Sequence, residues 1–345
     1  LAINRDHQPD TLKWYHACEL GMEGQGWDLT IGRYDRLPAR ARAIVPEDVW
    51  ERSRCPAGLC THFKSDTTEL HFKWTLENDP VVVPQMLTPR ASGIDLYATD
   101  AQAHWRWVGC FPPQAQTSTA SIDGLLPGLR TYRVYLPLFN PVSELQIAVP
   151  DGAVLHPVVP RTVKPIVYYG TSIVHGAAAS RPGMCHASLL GRRLNRPMVN
   201  LGFAGRGRME LPLAELLAEL DPCVYLLDCL PNMTADLVNQ RAYPFIQALR
   251  SVRPKTPIML IEDRTYTNAW IVPGNRSEND ARRSALRTVY RQLLDEGVTG
   301  LTYVEGEQLL GQDSEATVDA SHPNDIGFWR LADALEPLIR PLINT

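Results

Sequence analysis

Ser172 stands in the run Pro165-Ile-Val-Tyr-Tyr-Gly170-Thr-Ser-Ile-Val-His-Gly176, and far downstream an aspartate and a histidine stand three apart in Asp319-Ala-Ser-His322-Pro323. These are the side chains of nucleophilic acyl transfer. A carboxylate three residues before an imidazole can hold one ring nitrogen protonated, which frees the other to take the proton of a serine hydroxyl. Between the two stretches lie Asn200-Leu-Gly202-Phe203 and Cys229-Leu-Pro-Asn232-Met233. A glycine N–H at Gly202, the side-chain amide of Asn232 and the N–H of Ser172 itself are the donor types that stabilise an oxyanion. The chemistry expected is a two-step acyl transfer in which Ser172 attacks a carbonyl, His322 moves the proton and Asp319 orients the ring.

Serine and glycine are also common in turns, so the elements that carry these residues matter. Each of the first three stretches follows an apolar run of strand type: residues 166–169, 198–201 and 224–227, with two more such runs at 258–261 and 301–304. Short runs rich in β-branched and aromatic residues read as buried strands. Helical patterns lie between them. One spans 211–220 with a proline near its start, where a missing N–H costs nothing. Another spans 277–296, with Ala281, Ala285, Val289 and Leu293 on one stripe. Strand and helix in alternation imply a parallel sheet covered on both faces. Right-handed crossovers then put every carboxyl end on one edge, where ligands bind. Asp319 and His322 fall in a loop before a last helix at 324–338, which Asn324 or Asp325 can cap.

The first half reads differently. Leu70, Phe72, Trp74 and Leu76 alternate with polar partners, as do Tyr132, Val134, Leu136 and Leu138, and Leu145, Ile147 and Val149. Period two is the mark of half-buried strands. Pro80, Pro84, Asp123-Gly124, Pro127-Gly128 and Asp151-Gly152 punctuate them. An antiparallel β-sandwich of jelly-roll type is expected over residues 1–160, and the α/β domain over 161–345, joined by a stiff proline-rich stretch at 150–165. Trp105 and Trp107 would share one face of a strand. They could form an aromatic platform for a sugar ring, but a sandwich core is the plainer expectation.

The residues Ser172, Gly202, Asn232 and His322 fall in the order of the SGNH, or GDSL-type, hydrolases, which the chain resembles. Gly93-Ile-Asp95-Leu-Tyr97, Ala179-Ser-Arg-Pro-Gly-Met184, Asp228-Cys-Leu-Pro-Asn-Met233 and His322-Pro-Asn-Asp-Ile-Gly-Phe328 resemble the branch that places a β-rich G-x-D-L-Y domain before the catalytic one. The resemblance implies a flavodoxin-like three-layer α/β/α catalytic domain. It also implies a serine esterase for short acyl groups, such as acetyl on a carbohydrate, with no cofactor. Thr171 and Leu230-Pro231 depart from the wider family's aspartate and glycine at these places, in a manner normal for this branch. An acyltransferase with the same triad is the second reading, and a non-catalytic carbohydrate-binding protein the third.

Composition excludes several other classes. The 345 residues are 44% hydrophobic and 21% charged, with a formal net charge of -4. Neither a nucleic-acid surface nor a membrane partner is expected from that balance, and no apolar run is long enough to span a bilayer. Seven cysteines form no small disulfide framework. Cys55 and Cys60 could bridge locally, but free buried thiols are the plainer expectation and favour a reducing, cytoplasmic compartment. The first residue, Leu1, is not methionine, so a trimmed signal stays compatible with this reading. The histidines lack metal-ligand spacing and the glycines after Gly202 miss the dinucleotide fingerprint. Neither a metal nor a nucleotide is expected. His175, Arg181 and Trp270 are the candidate substrate-contacting residues, with Asp95 assigned to structure. Arg206 and Arg208 near Gly202 would favour a polar or acidic substrate.

Overall fold

The computed structural model describes residues 11–28, 32–80 and 91–343, so Pro84 lies outside the described residues. The first half holds strands β1 (Leu12–His16), β2 (Met22–Glu23), β3 (Cys60–Ser65), β4 (Leu70–Leu76), β5 (Ile94–Thr99), β6 (Trp105–Phe111), β7 (Thr117–Ile122), β8 (Arg130–Tyr135), β9 (Val142–Pro150) and β10 (Leu155–Pro157). One sheet runs β1-β9-β4-β7. The other runs β10-β3-β8-β5-β6, with β2 on β3. Both interleave early and late strands, as a jelly roll does. The alternation in β4 is the reason the sheets stack: Leu70, Phe72, Trp74 and Leu76 are buried and meet Phe63, Leu96 and Val134 of the facing sheet.

The second half is a parallel sheet of β11 (Ile166–Gly170), β12 (Met198–Gly202), β13 (Val224–Asp228), β14 (Ile258–Ile261) and β15 (Leu301–Val304), in the order β12-β11-β13-β14-β15. This is the flavodoxin-like order. Successive residues of each strand serve opposite cores. Val167, Tyr169, Leu201 and Leu227 meet helices Leu211–Glu219, Ala235–Val252 and Pro273–Asp295 on one face. Ile166, Tyr168, Val224 and Leu226 meet helices His186–Arg193 and Asp325–Ile339 on the other. Gly170 pairs with both Gly202 and Asp228, so three strands end flush at one edge. The chain reverses direction across the sheet between β11 and β13, and ligands of this fold sit at that switch point.

Three details of the packing differ from expectation. The cores do not divide where the sequence does. Leu37, Ala41, Val45, Val49 and Trp50 pack with Val199, Leu201 and Leu213 against the α/β sheet. Irregular structure and the short helix Glu47–Ser53 carry this excursion out of the sandwich. Its apolar residues lack a strand period, so they gave no sign of their destination. The proline-rich stretch is also more than a spacer: β10 pairs with β3, and Arg161 grips both carboxylate oxygens of Glu23 at 2.6 Å. In the helix Pro273–Asp295, Ala285, Val289 and Leu293 are buried as the stripe requires, but Ala281 is exposed. Arg282 and Arg283 take the buried side of that turn, because Arg282 pairs with Asp263 at 2.8 Å and Arg283 donates to its carbonyl. All seven cysteines are free, Cys55 and Cys60 buried.

Candidate active site

β11 ends at Gly170 and the chain turns at once into the one-turn helix Ser172–His175. Thr171 caps it, its hydroxyl accepting from the Ile173 N–H at 3.4 Å, and Gly176 closes it in the left-handed region. Ser172 is thereby fixed at the carboxyl edge of the sheet. Its Oγ lies 2.8 Å from His322 Nε2, and His322 Nδ1 lies 2.7 Å from Asp319 Oδ2. Asp319 also accepts the N–H groups of His322 at 2.7 Å and Ser321 at 3.1 Å through Oδ1. Partial burial works against the ionised carboxylate, but these backbone and imidazole donors prevail and hold its pKa below the usual range. The loop that carries the pair is tied down by main-chain hydrogen bonds. Val318 N–H donates to His322 O, Asn324 N–H to Ala316 O, and Thr267 N–H to Ala320 O. The Asn324 side chain caps the helix Asp325–Ile339 immediately after.

Ser172 and His322 open onto a cavity of about 790 Å³. One side is small and apolar, with Ala177, Ala178, Ala204 and Gly205. The far wall comes from the first half of the chain and is mostly polar: Glu51, Arg52, Arg54, Glu77 and Asn78, with Phe139 and Pro141. Sequence reasoning found none of these wall residues. They lie outside regular strands or at their ends, where no period marks a side chain's direction.

The oxyanion donors are placed differently from expectation at one position. Asn232 lines the cavity, and its Nδ2 donates one hydrogen to Arg206 O at 2.7 Å, leaving the second free. Gly202, however, is the last residue of β12 and does not line the cavity. Its N–H already donates to Asn200 Oδ1 at 2.9 Å, and a Cβ there would lie 2.1 Å from His175 N. Gly202 is a glycine because the Ser172–His175 helix rests on it. The glycine on the cavity wall is Gly205, at φ +76° in the following turn. Among the described residues its N–H and that of Ser172 meet no protein acceptor. The available signal was Asn200, whose side chain two residues before can take the Gly202 N–H.

None of the three candidate substrate contacts reaches this cavity. His175 is fully buried. Its ring stacks on Phe139 with centroids 4.0 Å apart, and Nε2–H donates to Leu138 O at 2.6 Å. It therefore backs the cavity wall without touching its contents. Arg181 pairs with Asp95 at 2.9 Å and lies over Trp107. Trp270 is 77% exposed and borders a separate groove with Tyr266 and Gln312. Arg206 is held by Asp48 and Arg208 points elsewhere, so neither faces the cavity. Asp95 has the structural role assigned to it. Its buried carboxylate accepts from Trp107 Nε1 (2.9 Å), Arg181 Nη1 (2.9 Å) and Gly183 N (2.7 Å), clasping β5 to the loop that follows the serine.

Beneath the turn that carries Gly205 lies an arginine the sequence gave no reason to select. Arg36 is 1% exposed and, among the described residues, pairs with no carboxylate. Its guanidinium donates to Arg52 O and Cys55 O on the cavity-wall side, and to Asn200 O and Gly202 O at the end of β12. Burial lowers its pKa to about 10, which leaves it charged at neutral pH.

Burial also depresses the pKa of His62, His175 and His186, the last to about 3. The nearest cations, Arg133 for His62, Arg36 for His175 and Arg264 for His186, add to the effect. All three are neutral in the folded chain, whereas the unfolded chain protonates them near pH 6.5. Below that pH the unfolded state binds more protons, so stability falls with pH, each histidine contributing up to about 1.4 kcal/mol per pH unit. Urea unfolding midpoints measured from pH 7 down to pH 4 should decline steadily, and replacing His186 with a neutral residue should flatten the decline. A midpoint independent of pH over that range would contradict this reading.

Residues 163–340 match the model of the GDSL-like lipase/acylhydrolase family, and residues 12–155 match that for the N-terminus of SGNH-hydrolase-type esterases. Among solved structures, a GDSL-like lipase from Bacteroides ovatus is 29% identical over 97% of this chain and 98% of its own, with a TM-score of 0.92. A salicylyl-acyltransferase from a tetracycline biosynthetic pathway is 18% identical over 96% of this chain and 95% of its own, at TM-score 0.75. A family two carbohydrate esterase from Clostridium thermocellum, in complex with cellohexaose, is 14% identical over 84% and 93%, at TM-score 0.60. The last two share the fold. No curated protein matches the chain.

Proposed function

The chain belongs to the GDSL-like lipase/acylhydrolase family, and on that footing we propose that it is a serine esterase releasing short acyl groups, acetyl foremost, from a carbohydrate. The observation that carries this reading is the hydrogen-bonded line from Ser172 through His322 to Asp319, open to the cavity at its serine end. Ser172 Oγ attacks the ester carbonyl while His322 Nε2 takes its proton. The N–H groups of Ser172 and Gly205 and the Nδ2 of Asn232 receive the oxyanion. The tetrahedral adduct collapses, His322 gives its proton to the leaving alkoxide, and the acyl group stays on Ser172. Water, deprotonated by the same imidazole, then attacks the acyl-enzyme and frees the acid and the serine. Asp319, kept ionised, holds the ring in the needed tautomer and stabilises the imidazolium.

The two sides of the cavity support the substrate assignment. Alanines and a glycine beside the serine leave room for a small acyl group. Glu51, Arg52, Arg54, Glu77 and Asn78 offer hydrogen-bonding groups suited to a polyol and unsuited to a lipid chain. The same fold in an esterase seen with cellohexaose is in keeping with this. An acyltransferase is the second reading, favoured by the open cavity and by an acyltransferase of the same fold. It differs only in which hydroxyl attacks the acyl-enzyme.

A fluorophosphonate should add to Ser172, read by intact mass, and acetate should appear from acetylated mono- and oligosaccharides at higher kcat/KM than acids from long-chain esters. Preference for long acyl chains would refute the substrate reading, and failure to label would favour a binding protein. Product that accumulates as a new ester when an alcohol is added would assign the transferase. Asn232→Ala should lower kcat by about 10²–10³ with KM little changed, since its donor acts on the oxyanion. Equal kcat would remove Asn232 from the oxyanion site.

A further inference from the structure

A second concave site lies away from Ser172, across the junction of the sandwich and the α/β domain. It encloses about 610 Å³ and shares no lining residue with the serine cavity. Its walls carry Trp105 and Trp107 from β6 and Trp329 from the last long helix. Contrary to the core expected for the tryptophan pair, Trp107 is 46% exposed, and Trp329 is 50% exposed. Each indole is braced. Arg181 lies over Trp107 at 4.9 Å, with the ring's Nε1–H held by Asp95, and Arg193 lies over Trp329 at 4.3 Å. Rings held this way lose little freedom when something stacks on the open face.

The polar lining is one-sided. Arg106, Arg181, Arg192, Arg193 and His104 line the groove, and no aspartate or glutamate does. Asp100, Asp95 and Asp333 pair with Arg106, Arg181 and Arg193, and Glu336 lies 3.5 Å from Arg193 and Asp100 3.6 Å from His104, but none of these carboxylates lines the groove. Among the described residues Arg192 forms no ion pair. It donates to Tyr135 Oη and Gly183 O and lies over the Tyr97 ring at 4.1 Å. On a chain of net charge -4, this groove presents cationic donors between exposed aromatic faces.

We propose that the groove binds an acidic polysaccharide, one whose pyranose rings stack on Trp107 and Trp329 while carboxylate or sulfate substituents meet the guanidinium groups. This rests on the carbohydrate reading above and extends it: the groove holds the polymer, and the serine cavity removes its acyl groups. Stacking supplies the ring preference, and guanidinium pairing supplies the preference for anionic over neutral chains.

Affinity electrophoresis of the full-length Ser172→Ala variant tests this without turnover. Polygalacturonate in the gel should retard it, retardation should fall as salt rises, and hydroxyethyl cellulose should retard it far less. Trp329→Ala and Arg106→Gln, both at exposed positions, should each weaken binding about tenfold, the loss of one stacked ring or one charged contact. Their melting temperatures should match that of the parent. Absence of retardation by polygalacturonate would overturn the proposal. So would equal retardation by the neutral polymer, stronger retention by oligo-dT, or indifference to both substitutions. Fluorophosphonate labelling of the unaltered chain reports separately on the esterase, so either reading can fail alone.

Discussion

Ser172→Ala is expected to lower turnover of p-nitrophenyl acetate by a factor on the order of 10⁶, the cost of losing a nucleophile whose base and oxyanion donors stay in place. The argument turns on the absence of a substitute. One other nucleophilic atom lines the cavity, the thiol of Cys55, and burial raises its pKa to about 11, which keeps it protonated and inert at neutral pH. Water bound near the oxyanion donors could still attack, and it sets the residual rate. The fold should be little affected. The substitution removes one hydroxyl and one hydrogen bond, about 1 kcal/mol, and adds no atom to a crowded site. Turnover measured on protein with an unchanged circular dichroism spectrum is the test. Activity within tenfold of the parent would move the chemistry to another residue.

Asp95→Ala should have the largest effect on stability. The carboxylate is fully buried, and its removal strands three donors: the Arg181 guanidinium, the Trp107 indole N–H and the Gly183 N–H. Breaking a buried charge pair by deleting one partner costs about 3–5 kcal/mol. With an unfolding entropy of about 2.1 cal/mol/K per residue for a chain that unfolds as one unit, Tm should drop by roughly 5 °C. The loop it clasps leads from Ala177 and Ala178 on the cavity wall to Gly183, so kcat should fall as well. Calorimetry decides the first point. An unchanged Tm would mean that Arg181 finds another anion and that the clasp is dispensable.

The α/β half was legible because its signals are local. Five apolar runs became five strands with ends displaced by at most a residue. Their parallel order brought Ser172 and Asn232 to one edge, as crossover handedness requires. Asp319 and His322 were legible from spacing alone, because three residues suffice to fold a carboxylate back onto an imidazole. Gly202 misled because two glycines stand three apart and the choice between them depends on which N–H a neighbouring side chain already holds. Arg181 and His175 misled for another reason. Nearness to Ser172 in sequence says little about direction, since the one-turn helix sends His175 inward and the loop sends Arg181 to the other domain. The cavity's far wall was invisible. Arg52, Glu77 and Phe139 reach Ser172 only through tertiary packing, and nothing in their neighbours' pattern announces it.

Arg36 places a limit on how such a chain can be recombined. Its cation is held by four main-chain carbonyls and lies over the Phe203 ring; two of the carbonyls, those of Arg52 and Cys55, belong to the helix that ends the excursion and the residues just after it, and two to the end of β12. Neither set is complete without the other. The excursion that carries Arg36 and the turn that carries Gly205 therefore have to be inherited together. A shuffled gene joining an unrelated sandwich to this α/β sheet would leave the end of β12 untethered beside the proposed oxyanion donors. The two halves match separate family descriptions, but the packing around Arg36 needs both.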